Sequence, residues 1–299
     1  MKKLLIHLGY PKAASTTLQN GLFYSLHQNK IINFVGRAWE SGYFGLVDNK
    51  KDYKAWFLSV LGNSARIEST NGARKNVIEF SDDKLNVLSE GLFLVNEDHD
   101  EKLIIPEKIA EYFRGKVDKI ELLFVIRNQQ TLIMSDFVQN YKKMESQTFT
   151  EYLNSKISGR KKKKFKIFYF YNLISRYAEL IGKENIHIIF FEDLANDRKR
   201  FCHELEQILN VQDDMIDAAL DQAYLNRTPK EKKGHVVRKV GRMSLGKRIR
   251  HAVTRKGIMV PEIKEDEKLL IFDSFRGNNS MLAEEFNLDG ERMKKYGYI

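Results

Sequence analysis

Apolar residues follow two rhythms along this chain. Solid apolar runs at Lys3–Leu8, Lys119–Ile126 and residues 186–191 have the length of buried strands. The first stops at Gly9-Tyr10-Pro11, a turn sequence. Shorter strand candidates lie at 31–35 and 85–88, the latter followed by Ser89-Glu90-Gly91. Between these runs apolar residues return at helical spacing. In residues 15–27, Leu18, Leu22 and Leu26 fall on one face. Helices are likewise expected at 52–67, 129–143, 167–181, Arg198–Leu209 and 263–286, and at 106–113 with proline in the first turn.

Strands separated by helices imply an α/β fold, a central mostly parallel sheet flanked by helices on both faces. Ligands in such sheets sit beyond the carboxyl ends of the strands, so the informative residues should follow Leu8, Leu88, Ile126 and Phe191. The 299 residues suit a single domain over 1–299, with no internal repeat. Residues 226–257 break the pattern. They are crowded with Lys and Arg around Gly234, Gly241 and Gly246, and are expected to form a mobile basic segment able to close over an anion. The run Arg160 to Lys164 reads as a solvated loop.

Composition narrows the ligand class. The formal charge is +10, from 50 basic and 40 acidic residues, which favours nucleotides, nucleic acid, acidic glycans or a membrane surface. Cys202 is the only cysteine, so no internal disulfide forms and nothing argues for an oxidising compartment. The apolar stretch after Met1-Lys2-Lys3 is too short for a signal-peptide core, and no later run reaches membrane-spanning length. A cytoplasmic location is expected, with at most peripheral membrane contact through charge.

The first strand runs into Gly9-Tyr10-Pro11-Lys12-Ala13-Ala14-Ser15-Thr16-Thr17, where small and hydroxylated residues open a helix. Backbone N–H groups at a helix N-terminus point outward and carry partial positive charge, a ready anion site. Ala13, Ala14 and Ser15 are small enough for a phosphate to approach the backbone. Lys12 adds a full charge, and Ser15, Thr16 and Thr17 add hydroxyls. The nucleotide-kinase loop, with its late lysine followed directly by Ser or Thr, does not fit, because Lys12 comes early and Ala13 follows it.

With this loop the chain resembles sulfotransferases that use 3′-phosphoadenosine 5′-phosphosulfate (PAPS), of the bacterial or glycan-directed kind, which have a P-loop NTPase-like architecture. Lys12, Ser15, Thr16 and Thr17 match the family's 5′-phosphosulfate loop, while Ala13 and Ala14 replace its usual threonine and glycine. Any φ reserved for glycine there would be strained in alanine. A second match is Phe124-Val125-Ile126-Arg127, with Ser135 eight residues after the arginine. In the family these positions hold the donor's 3′-phosphate, a role suited to a guanidinium fork with a nearby hydroxyl. A third is Phe190-Phe191-Glu192-Asp193-Leu194 at a strand end. There the acids are expected to brace the turn and the aromatics to pack in the core, with a place beside the donor's adenine as the alternative for Phe190 or Phe191. The basic clusters Arg238-Lys239 and Arg255-Lys256-Gly257 are not assigned to the site.

The resemblance implies PAPS as donor, no metal, and sulfuryl transfer to a hydroxyl or amine of an acceptor, with a carbohydrate as the expected class. Lys12 is the candidate for stabilising charge on the leaving phosphate. Glu90, just past a strand, is the candidate base, tuned by apolar Leu92 and Phe93. His7 reads as a core histidine and His99 as a loop residue. Two rival readings remain at this point. A kinase on a variant loop would need a magnesium-binding acid on a strand, and none is evident. A nucleic-acid-binding protein would use the basic segment, but no nucleic-acid fold motif appears.

Overall fold

A computed structural model describes residues 1–38, 41–43, 56, 80–90, 105–140, 148–157, 167–221 and 262–299. Its centre is a five-stranded sheet in the order β2-β3-β1-β4-β5, with every pairing parallel. The strands are β1 (Lys3–Leu8), β2 (Asn33–Phe34), β3 (Asn86–Ser89), β4 (Lys119–Ile126) and β5 (Ile186–Phe190). β1 lies in the middle, its Leu8 opposite Phe124 of β4 and its His7 opposite Ser89 of β3. Leu4, Leu5, Ile6 and Leu8 are wholly buried, as are Leu122 to Ile126. A parallel sheet covered on both faces demands such unbroken apolar runs, which is why these strands do not alternate. Each buried leucine or isoleucine contributes about 1.5–3 kcal/mol relative to exposure.

The helices at Ile105–Phe113, Gln129–Asn140, Phe170–Ile181, Arg198–Leu209 and Glu265–Glu285 lie where the periodicity places them. The first helix runs from Ser15 to Gln28 but contains a π-helical stretch, Leu18–Phe23, with all six residues buried. Four α-helices among the described residues were not expected: Phe149–Ile157, Phe191–Asn196, Asp213–Asp221 and Gly290–Lys295; Phe191, expected to end a strand, opens a helix instead. The first had a readable start. Thr148 and Glu151 form reciprocal capping bonds, the Thr148 N–H donating to Glu151 Oε2 at 2.8 Å and the Glu151 N–H to Thr148 Oγ1 at 3.2 Å. Most of the helix expected at 52–67, the run 160–164 and the basic segment 226–257 lie outside the described residues.

One polar cluster sits inside the sheet–helix interface. His7 is fully buried, and its Nδ1 lies 2.7 Å from Ser89 Oγ. Gln19, on the π-helical stretch, donates from Nε2 to the same hydroxyl at 3.1 Å and to the Ser89 carbonyl at 3.3 Å. The cluster ties the first helix to β1 and β3 just below the strand ends. His7 is therefore a core histidine, as the sequence suggests. Burial pushes it down from 6.5 to about 3, so it is neutral in the folded protein.

This has a measurable consequence. Between about pH 6.5 and 3 the unfolded chain binds a proton at His7 and the folded chain does not. The contribution of His7 is thus complete above pH 6.5 and declines as pH falls, by on the order of 1.4 kcal/mol per pH unit. His27, also lowered by burial, acts in the same sense, and Glu192, raised by burial, in the opposite one. Comparing urea unfolding of the wild type and His7→Gln from pH 7 to pH 4.5 isolates the His7 part. The variant should show a shallower loss; parallel curves would mean that His7 is not a buried neutral group.

Candidate active site

The chain leaves β1 toward β2 on one side of the sheet and leaves β4 toward β5 on the other. The crevice between the carboxyl ends of β1 and β4 is therefore the topological switch point, where an open α/β sheet offers its ligand site. The first loop and Arg127 flank it.

In the loop, Lys12 has φ 67° and Ala14 has φ 59°, both left-handed, while Ala13 between them does not. Alternation of this kind is the backbone pattern from which anion-binding nests are built. The Ala13 N–H donates to the Tyr10 carbonyl at 3.2 Å and the Ser15 hydroxyl donates to the same oxygen at 2.9 Å, which closes the turn. Helical bonding begins with the Leu18 N–H on the Ala14 carbonyl at 2.9 Å. The N–H groups of Ser15, Thr16 and Thr17 consequently have no acceptor within the helix. Gly9 makes room for this arrangement, since a Cβ there would stand 2.5 Å from Ser15 Oγ. Ala13 is buried, whereas Thr16 is exposed. Ser15 thus braces the turn with its hydroxyl and offers its N–H; Thr16 and Thr17 sit on the helix's first turn.

Arg127, the first residue after β4, reaches across to this loop. Its Nη1 donates to the Lys12 carbonyl at 2.8 Å and its Nε to Thr131 Oγ1 at 3.0 Å. The guanidinium carbon lies 4.5 Å from the Phe191 ring centre. Two of its five N–H donors are committed in this way among the described residues. Burial lowers Arg127 from its ordinary pKa, and the charge of Glu192 opposes that shift. Ser135 lies two turns along the helix Gln129–Asn140 and shares no hydrogen bond with Arg127 among the described residues.

Glu90 follows β3 directly, and its N–H donates to the His7 carbonyl at 3.2 Å. Its carboxylate is wholly buried, and Oε1 accepts from Arg37 Nη2 at 2.6 Å. A buried carboxylate is costly without such a cation. Leu92 and Phe93, expected beside it, lie outside the described residues, as does His99. Arg37 was missed from sequence, although it lies just past the end of β2, by the same logic that located Glu90 and Arg127. Thr131 and Gln19 were missed too; nothing in their local pattern separates them from ordinary helix residues.

The acids after β5 brace structure, as expected. Glu192 accepts from the Asn128 N–H at 2.8 Å and from the Tyr298 hydroxyl at 3.0 Å. Asp193 accepts from the Tyr296 hydroxyl at 2.5 Å and pairs with Arg292 at 3.3 Å. Phe190 packs in the core, while Phe191 faces Arg127.

No protein-family model matches the chain, and no curated protein matches it. Among solved structures, a sulfotransferase from Alicyclobacillus acidocaldarius is similar at 13% identity and a TM-score of 0.49, covering 95% of this chain and 96% of its own. The sulfotransferase domain from the curacin biosynthetic pathway is similar at 13% identity and a TM-score of 0.39, covering 76% of this chain and 79% of its own. At this identity and these scores the likeness assigns no activity.

The left-handed Ala14 predicts a stability effect. An L-residue in that conformation costs roughly 1–2 kcal/mol, partly offset by the greater unfolded-state entropy of glycine. Ala14→Gly should therefore raise unfolding free energy by roughly 0.5–1 kcal/mol in denaturant melts. Gly9→Ala should lower it by about 1–3 kcal/mol through the clash with Ser15. A destabilised Ala14→Gly would contradict the nest conformation.

Proposed function

We propose that this protein transfers a sulfuryl group from PAPS to a hydroxyl (or amine) of an acceptor, with a carbohydrate as the acceptor class. The supporting observation is the joint placement of two anion-binding ends at one crevice. The nest at Lys12–Ala14 and the guanidinium of Arg127 are linked by the Arg127–Lys12 hydrogen bond. A donor carrying two phosphates on one ribose suits such a pair.

In this reading Lys12, the nest and the N–H groups of Ser15, Thr16 and Thr17 hold the 5′-phosphosulfate, with the Thr16 and Thr17 hydroxyls beside them. Arg127 holds the 3′-phosphate, with Ser135 as an additional hydroxyl donor. The donor supplies an activated sulfuryl group. A new S–O bond to the acceptor forms as the bridging bond to the 5′-phosphate breaks, and the electron pair of that bond stays on the phosphate oxygen. Lys12 and the fixed N–H dipoles stabilise that charge without reorganising. The acceptor's proton passes to Glu90, whose Oε1 the Arg37 contact orients. A carboxylate base resembles the glycan-directed sulfotransferases, which is the ground for the acceptor class.

The reading is tested by ligand-dependent melting. Adenosine 3′,5′-bisphosphate binding only the folded state must raise the melting temperature, by about 2.7 kcal/mol in stability at a hundredfold excess over Kd. No shift at millimolar ligand would overturn it, and a shift with ATP and magnesium alone would favour the kinase reading. With labelled PAPS and a panel of glycans, Lys12→Ala should abolish transfer. Glu90→Gln should lower kcat by about 10²-fold or more while donor binding persists. Near-wild-type turnover of a folded Glu90→Gln would remove the base assignment.

A further inference from the structure

The two residues after Arg127 are held by side-chain hydrogen bonds to distant parts of the chain. Asn128 sends its N–H to Glu192 Oε1 at 2.8 Å and its Nδ2 to the Gly297 carbonyl at 2.7 Å, and its Oδ1 accepts from the Gln130 N–H at 2.9 Å. Gln129 and Asn279 exchange a reciprocal amide pair at 2.9 and 3.1 Å, both side chains buried. Asn279 also donates to the Tyr298 carbonyl at 2.9 Å. Tyr298 is buried, and its hydroxyl donates to Glu192 Oε2. Both carboxylate oxygens of Glu192 are thereby fixed, one from β4's end and one from residue 298.

This clasp reaches the guanidinium from two directions. Glu192 acts electrostatically on Arg127, and Tyr298 acts on Glu192 through its hydroxyl. Phe191, immediately before Glu192, supplies the ring against which Arg127 lies. The segment itself is anchored independently. The Arg292 guanidinium stacks 4.3 Å from the Phe190 ring centre and bonds Glu204 at 2.5 Å, and the Tyr296 hydroxyl bonds Asp193. Gly297, at φ 75°, sits where a Cβ would approach Asn128 Nδ2 to 3.3 Å.

A network serving stability alone has no need to converge on the residue next to a ligand-binding arginine. We propose that residues 289–298 aim Arg127, with Tyr298 and Glu192 as positioning residues that set the protein's preference for a 3′-phosphate. The inference rests on the PAPS reading given above. Arginine recognises phosphate through directed N–H bonds, so its contribution depends on orientation in a way that a point charge does not.

The test uses the ratio of dissociation constants for adenosine 5′-phosphate and adenosine 3′,5′-bisphosphate, measured by calorimetry on the full chain. This ratio reports the 3′ end alone, and a general loosening of the fold weakens both ligands together. The wild type should prefer the bisphosphate, and Arg127→Ala should abolish the preference. Tyr298→Phe, which removes one hydroxyl and keeps the ring, should reduce the ratio by about tenfold while 5′-phosphate binding stays within about twofold. Glu192→Gln, which keeps an acceptor for the Asn128 N–H, should reduce it similarly. If the wild type shows no preference, or Arg127→Ala retains it, the PAPS reading fails at its 3′ end. If both behave as expected but Tyr298→Phe and Glu192→Gln keep the wild-type ratio, the positioning role alone is overturned. Should Tyr298→Phe not fold, Glu192→Gln decides the matter.

Discussion

The hydrogen bond from Arg127 Nη1 to the Lys12 carbonyl, 2.8 Å long, joins the ends of the two central strands. Its acceptor belongs to the left-handed Lys12 and its donor to the residue that follows β4. The loop and the arginine are therefore tied to each other. Left-handed conformations at Lys12 and Ala14 cost energy in isolation. They persist because Arg127, the Tyr10 carbonyl and the Gly9–Ser15 contact define the loop from three sides.

Around this bond the sheet behaves as a rigid plate. β1 is paired with β4 along its whole length, Lys3–Leu8 against Lys119–Phe124, and both are buried toward their carboxyl ends, so those ends are placed to within the tolerance of packed side chains. Polar groups at the plate's upper edge are then satisfied in separate groups. His7, Ser89 and Gln19 form one beneath the loop, Glu90 and Arg37 a second beside it, and Asn128, Glu192 and Tyr298 a third behind Arg127. Each group joins residues far apart in sequence. Orphaning any member would leave a buried donor or acceptor at a cost of about 1–3 kcal/mol. The edge is thus more strongly specified than its irregular backbone suggests.

Much of this was legible in the chain. The solid runs at Lys3–Leu8 and Lys119–Ile126 mark strands with the bounds that the structure has, because a doubly covered parallel strand tolerates no polar alternation. Lys12, Arg127 and Glu90 were legible because each follows such a run, where an α/β sheet concentrates its chemistry. The strain at Ala14 was legible as well, as a small residue where a loop of this kind takes glycine. The helix Phe149–Ile157 was readable from its capping pair, yet its short apolar face is easily taken for loop.

What the sequence determined by itself was therefore local: strand lengths, helix faces, the loop's composition and the charged residues at strand ends. These depend on residues within a few positions of one another, where periodicity and capping operate. The partners of those residues were decided only in three dimensions. Arg37 meets Glu90 across 53 positions, the Lys12 carbonyl meets Arg127 across 115, and Tyr298 meets Glu192 across 106. Side-chain pairing at such separations follows from strand order and register, which no local pattern encodes. The tertiary structure thus turned a set of candidate cations and acids into a held loop, a hydrogen-bonded arginine and a paired carboxylate.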